Sequence, residues 1–328
     1  MNTQINEKKF VSVVLSFRNE EEVIPELLSR LHEVLKLLPI EYELIFVNDA
    51  SIDNSLALLM EKAKEDNRVK IINTSRRFGV SECALAGMKY ARGDAVIYMD
   101  ADLQDPPEVI PQLIEEWLQG ADVVYTIRTS RKGESAFKML LTKIAYRFIR
   151  CSSPDVDLPV NAGDFRLISR RVVNELTKLN EKAPYLRGLV SWVGFKQVPV
   201  FYERQKRAAG KMHFPVFQSW FRDLLTLHGP VGTAIRGVTS FSVLPLMLFL
   251  LSGLVICVAA IVALIVLAAV SALEAPWAII IAVFFLAGVQ LVGIGTLGLY
   301  LGRVYNDVRN RPNHIIESTI GFEQDEQS

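Results

Sequence analysis

The stretch VIYMDADLQDPPEV, residues 96–109, runs four apolar residues straight into Asp100, Asp102 and Asp105. Crowded carboxylates repel one another, and enclosing them is costly unless a cation or a donor compensates. Oxygen-rich sites of this kind suit Mg2+ or Mn2+, which are commonly bound through one or two carboxylates together with phosphate oxygens. The chemistry open to such a turn is therefore the clamping of a diphosphate. A solvated turn at the end of a strand is the plainer alternative.

The elements that must position this turn are legible as alternating apolar runs and helical periodicities. Residues 10–17, 42–49, 69–75, 94–100 and 121–128 read as buried strands. Between them, 18–38, 51–66, 79–92 and 106–119 carry helical spacing, with Ser51 or Asp53 near one cap and a Pro opening the last. Strands that are apolar throughout predict a largely parallel sheet covered on both faces. Ligands of such sheets sit at the carboxyl ends of the strands. Polar residues gather there: Arg18, Asn19 and Glu20, then Asn48, Asp49, Ser51 and Asp53, then Ser75, Arg76 and Arg77, then Asp100, Asp102 and Gln104. No G-x-G-x-x-G follows any of these strands and no G-x-x-x-x-G-K-[ST] occurs, so a dinucleotide site or P-loop is unsupported.

The chain has 328 residues and a formal net charge of zero, which gives no sign of a nucleic-acid partner. Its mean hydropathy of +0.25 has a local origin. No charged residue occurs from Gly237 to Leu273, nor from Ala275 to Gly302. Each run exceeds the roughly 20 apolar residues that span a bilayer. Arg222 and Arg236 precede the first run, Arg303, Arg309 and Arg311 follow the second, and the connector has no Lys or Arg. The bias predicts both termini in the cytoplasm. No basic stretch followed by an apolar core opens the chain, so no signal peptide is expected. Cys83, Cys151 and Cys257 are too scattered for a disulfide framework or a zinc site. Between Phe201 and Arg236 six Lys or Arg face two acids, and Val216, Phe217, Trp220, Phe221, Leu224 and Leu225 recur at helical spacing. That pattern predicts an amphipathic helix lying in the membrane interface.

In order along the chain, FVNDASIDNS, SRRFGVSECALAGMKYARGD, MDADLQDPPE, GDFRLISRR, RAAGK and GLYLGRVYNDVRNRP resemble glycosyltransferase family 2, and within it the membrane-anchored polyprenyl-phosphate enzymes of the bactoprenol glucosyltransferase branch. The resemblance implies an inverting enzyme with an α/β GT-A fold, Rossmann-like with a largely parallel sheet. The expected organisation is a cytoplasmic catalytic domain at 1–212, a juxtamembrane segment at 213–236, a transmembrane hairpin at 237–302 (spans near 240–268 and 276–301) and a cytoplasmic tail at 303–328, at the inner or plasma membrane. It further implies a UDP-sugar donor, with glucose the leading hexose, a polyprenyl phosphate acceptor, and Mg or Mn. By position, Glu20 and Asp49 would contact the nucleoside and Asp100 the ribose or diphosphate. Asp102 with Gln104 would ligate the metal. The chain departs from the family at Ser16 and Arg18, where Pro and Tyr are usual, and at Asn48-Asp49-Ala50, where Asp-Asp-Gly is usual.

A phosphate monoester is already largely ionised near neutral pH, so its attack on the anomeric carbon needs no strong base. What remains is to hold two anions together and stabilise the leaving diphosphate. Arg128, Arg131 and Lys132 flank one loop, and Arg204, Arg207 and Lys211 another. Arg207 and Lys211 are the expected phosphate contacts. Asp157 and Asp164 are the candidates if a carboxylate base is used, with Asp157 preferred for its irregular setting; Asp164 could instead pair with Arg166 or Arg170. His213 and His228 read equally well as packing residues. The rival readings are GDP-mannose chemistry of the dolichyl-phosphate mannose synthase type, a processive synthase, for which further spans and a Gln-x-x-Arg-Trp motif are missing, and a non-catalytic membrane scaffold. Glycines at 288, 293, 295, 298 and 302 would allow close helix packing within the hairpin or in a homo-oligomer.

Overall fold

The five apolar runs become β1 (Lys9–Phe17), β2 (Ile40–Asn48), β3 (Val69–Thr74), β4 (Ala95–Asp100) and β5 (Val123–Arg128). The computed structural model describes residues 8–129, 162–179, 181, 184–205, 244–269 and 276–322. Within them lie also β6 (Ala162–Ser169), β7 (Gln197–Tyr202) and β8 (Ile316–Ile320). All eight form one sheet in the order β7-β5-β6-β4-β1-β2-β3-β8.

Alternate side chains of each central strand feed two cores. On one face Val11, Val13, Leu15, Leu44 and Phe46 pack against α1 (Ile24–Lys36) and α4 (Ile110–Leu118). On the other, Val14, Ile45, Val47 and Ile72 meet α3 (Val80–Tyr90), α5 (Arg170–Lys178) and α6 (Leu186–Trp192). α2 (Ser55–Glu65) covers β3 on the first face. The close approach of α3 explains Gly87, where a Cβ would lie 2.3 Å from a methyl of Val14. Burial of both faces is why these strands are apolar throughout.

The sheet is mixed rather than largely parallel. β3, β2, β1 and β4 run parallel, as do β5 and β7. β6 is antiparallel to β4 and β5, and β8 is antiparallel to β3. An apolar run encodes burial but not direction, so the pattern could not reveal the reversal. The reversal has a use. It brings the start of β6, with Asp164, to the rim where β4 and β5 end.

Two long helices follow, α7 (Leu244–Ala269) and α8 (Pro276–Val308). Among the described residues one stretch, Phe285–Val308 of α8, is long and apolar enough to cross a membrane. α8 continues past Leu301, where the expected second span ended, and carries Arg303 into an ion pair with Glu181 at 3.1 Å. Asn313 donates to the Glu181 carbonyl at 2.7 Å. Residues 303–322 are therefore more than a tail. Their β8 supplies an edge strand of the sheet, and Phe322 packs edge-to-face on Tyr90 at 5.3 Å. The expected interfacial helix, with Trp220 and Phe221, lies outside the described residues, as do His213 and His228.

Candidate functional site

Three strands end in turns that adopt left-handed backbone at residues other than glycine: Asn19 (φ 56°) after β1, Ala50 (φ 53°) after β2 and Leu103 (φ 56°) after β4. For Ala and Leu this costs about 1–2 kcal/mol each. Such strain concentrates where a turn must present its side chains in one direction. Ala50 stands where glycine is usual in the resembling family, so this chain accepts a strain that glycine would avoid.

After β1, Glu20 is buried, and its amide is held by the Ser55 hydroxyl at 2.9 Å. It lines a cleft of about 260 Å3 with Asn19, Glu21, Glu22, Val23 and Asp53. After β2, Asp49 accepts the amides of Phe78 and Gly79 at 2.6 and 3.2 Å. One of its oxygens thus secures the start of α3, while Arg77 stands 4.0 Å from the other. Asp53 accepts the amides of Ser55 and Glu21, which ties the β2 turn to the β1 turn.

Asp100 ends β4 within reach of the hydroxyls of Ser16 (3.3 Å) and Tyr98 (3.4 Å). Burial and the charges of Asp164, Asp102 and Asp105 push its carboxyl up to about 7, against the pull of Arg187. Asp102 accepts the Gln104 amide at 3.1 Å. This fixes the turn and leaves carboxylate oxygen and the Gln104 side chain available. Asp164 is the opposite case to Asp100. Burial opposes its ionisation, but the charge and hydrogen bonds of Arg187, with Arg166 and Arg128, carry it down to about 2. Arg187 meets it through two nitrogens, Nε at 2.7 Å and Nη2. Arg166 is buried and donates instead to the carbonyls of Gly163 and Asp164. The partner of Asp164 is thus Arg187, rather than the guanidinium of Arg166 or Arg170. Arg170 binds the Gly93 carbonyl at the far end of the sheet. Arg128 donates to the Tyr202 hydroxyl at 3.3 Å.

Glu20, Asp49, Asp100, Asp102, Gln104, Arg128 and Asp164 therefore share one rim. Arg131, Asp157, Arg207 and Lys211 lie outside the described residues. Sequence reasoning gave no role to Arg187, Asp105 or Tyr202. Asp105 stood in the acidic stretch, but Arg187 lies on a short helix with no local signal.

The donor set fits a hard divalent cation. It offers only oxygen, from Asp102 and the Gln104 amide, and the raised carboxyl of neighbouring Asp100 marks a surplus of negative charge. Among the described residues no group of three or more His, Cys, Asp or Glu converges as a complete shell. Two protein ligands completed by phosphate oxygens is the habit of Mg2+ sites.

The surplus charge predicts a pH effect. A carboxyl raised to about 7 in the folded chain keeps its proton after the unfolded chain has lost it near 4. Its contribution to stability therefore falls as pH rises from about 4 to about 7 and is level above. Asp100→Asn should gain thermal stability relative to the native chain across that window, in melts made with chelator present. A pH-independent difference would show that the carboxylate cluster does not load Asp100.

The sequence model described as "Glycosyl transferase family 2" matches residues 12–177. An uncharacterized glycosyltransferase of Bacillus subtilis (strain 168) is 41% identical over 317 residues, covering 95% of this chain and 94% of that one. A bactoprenol glucosyl transferase of Shigella phage SfII is 36% identical, covering 94% and 98%. Among solved structures, glucosyl-3-phosphoglycerate synthase from Mycobacterium tuberculosis, in complex with Mn2+, UDP and glucosyl-3-phosphoglycerate, matches with a TM-score of 0.48 at 20% identity, covering 71% of this chain and 79% of that chain.

Proposed function

Since the chain belongs to glycosyl transferase family 2, we propose that this glycosyltransferase moves glucose from UDP-glucose to a polyprenyl phosphate at the cytoplasmic face of the membrane. The observation that carries the reading is the 36% identity to the phage bactoprenol glucosyl transferase over 94% of the chain, a share that takes in the long helices as well as the sheet. The two uncharged runs, which hold α7 and most of α8, support a two-pass anchor, with the Arg-flanked ends inside. The polyprenyl chain stays in the bilayer, because leaving it would expose a large apolar area.

A phosphate oxygen of the acceptor attacks the anomeric carbon. The C1–O bond to UDP breaks, UDP departs with the electron pair, and the configuration inverts. Glu20 and Asp49 hold the nucleoside, and Asp100 faces the ribose or diphosphate. Asp102 and Gln104 would hold a divalent cation, which when bound would supply neutralisation of the diphosphate charge. Arg128 and Arg131 approach the sugar diphosphate, and Arg207 and Lys211 receive the acceptor phosphate. Asp164, held ionised by Arg187, is a weak base, which leaves Asp157 as the carboxylate that could orient the acceptor.

The test is a donor screen with the purified full chain and undecaprenyl phosphate. The expected result is UDP release with UDP-glucose that requires both the lipid phosphate and Mg or Mn. Transfer from GDP-mannose alone would replace the donor assignment, and no transfer from any donor would overturn the reading.

A further inference from the structure

One buried carboxylate has no part in the donor rim. Asp105 is fully enclosed, three residues beyond Asp102. Its Oδ1 accepts the hydroxyl of Tyr202, and Arg204 Nε stands 3.6 Å from the same oxygen. Its Oδ2 and Arg204 Nε are both buried without a hydrogen-bond partner among the described residues. Burial pushes the Asp105 carboxyl up, opposed by the Tyr202 hydrogen bond and by Arg128 and Arg204.

Three segments of chain converge on this group. The acidic turn brings Asp105 itself, and its Gln104 carbonyl accepts the amide of Gln205 at 3.0 Å. The end of β5 brings Arg128 to the Tyr202 hydroxyl at 3.3 Å, and Thr129 binds the Tyr202 carbonyl through amide and hydroxyl at 3.0 and 3.1 Å. β7 brings Tyr202 and, just beyond, Arg204. By sequence, β5 leads on to Arg131, and β7 to Arg207 and Lys211. The turn that carries Asp102 and the roots of both basic loops are therefore joined at one buried oxygen.

Packing alone does not call for this arrangement. A buried charge is costly, and an apolar residue of similar volume would fill the space with less penalty. What a hydroxyl-to-carboxylate bond adds is direction, since charge-assisted bonds are short and hold their geometry. Tyr202 is also fixed sideways, edge-on to Phe165 with centroids 6.2 Å apart. Its hydroxyl can then serve as a fixed pin between the acidic turn, the end of β5 and the end of β7.

We propose that Asp105, acting through Tyr202 and Arg204, is a positioning residue that sets the ends of β5 and β7 against the turn that carries Asp102, and through them governs use of the acceptor phosphate. The proposal rests on the reading of Arg207 and Lys211 as acceptor contacts. It assigns Asp105 no contact with either substrate.

The experiment uses the full chain in vesicles containing polyprenyl phosphate. Steady-state constants for both substrates are measured with UDP binding by calorimetry. Tyr202→Phe removes one hydroxyl and keeps the ring. It should raise the acceptor KM about ten-fold while UDP affinity stays within about two-fold. Asp105→Asn keeps an acceptor for the hydroxyl, so its acceptor KM should stay closer to native than that of Asp105→Ala. Equal losses for donor and acceptor in Tyr202→Phe would indicate a general structural role and overturn the proposal, as would no change in either. Lack of lipid-phosphate-dependent transfer by the native chain would overturn the functional reading, and this proposal with it.

Discussion

Asp102→Asn is expected to lower transfer by about a thousand-fold while leaving the fold intact. The size follows from removing one preorganised electrostatic contact to a developing diphosphate charge. The fold should survive because, among the described residues, Asp102 makes one structural bond, to the Gln104 amide at 3.1 Å, and an asparagine oxygen can accept it equally well. Removing the charge also relieves Asp100, which Asp102 helps to push up to about 7. Thermal stability in chelator should therefore hold or rise while turnover collapses. Calorimetry should show UDP binding that no longer responds to Mg or Mn. Retained turnover with unchanged metal dependence would remove Asp102 from the ligand set.

Arg187→Met is expected to damage stability and activity together. The guanidinium meets Asp164 through two nitrogens, and the two side chains are only 28% and 22% exposed. Stripping a buried carboxylate of its partner costs about 3–5 kcal/mol, and partial exposure argues for the lower end, about 3. That corresponds to roughly 6–12 °C in melting temperature. Without Arg187, burial would drive Asp164 upward and Asp100 would lose an opposing charge. Two carboxylates of the rim would then be mis-charged near neutral pH, and transfer should fall about a hundred-fold. The double variant Arg187→Met, Asp164→Leu separates the effects, because it removes the stranded charge. Melting temperature should recover while transfer does not. A single variant that melts and turns over like the native chain would reduce the pair to a surface contact.

Much of the donor rim was legible because two signals coincide there. A run such as VIYM must be buried, so the polar residues directly after it have to emerge at the strand end. That logic located Glu20, Asp49, Asp100, Asp102 and Gln104. It reached Asp164 as a residue but not its partner, because Arg187 is brought in by α6 from 23 positions away. It missed β7 and β8 for a different reason. Gln197–Tyr202 and Ile316–Ile320 are edge strands with exposed positions, and their short sequences lack the apolar continuity of the centre. Pairing of Ile71 with Ile320 spans most of the chain and leaves no local trace.

That pairing also bears on how the enzyme is made. The ribosome delivers β3 early and β8 almost last, after both long helices. Throughout that interval β3 is an open edge, a template on which any stray strand can pair. A nascent or truncated chain that stops short of Ile316 keeps this edge bare, whatever the state of the rest of the catalytic domain. Completion of the sheet is thus timed to follow synthesis of α7 and α8, so the finished sheet arises only on chains in which both long helices have already been made.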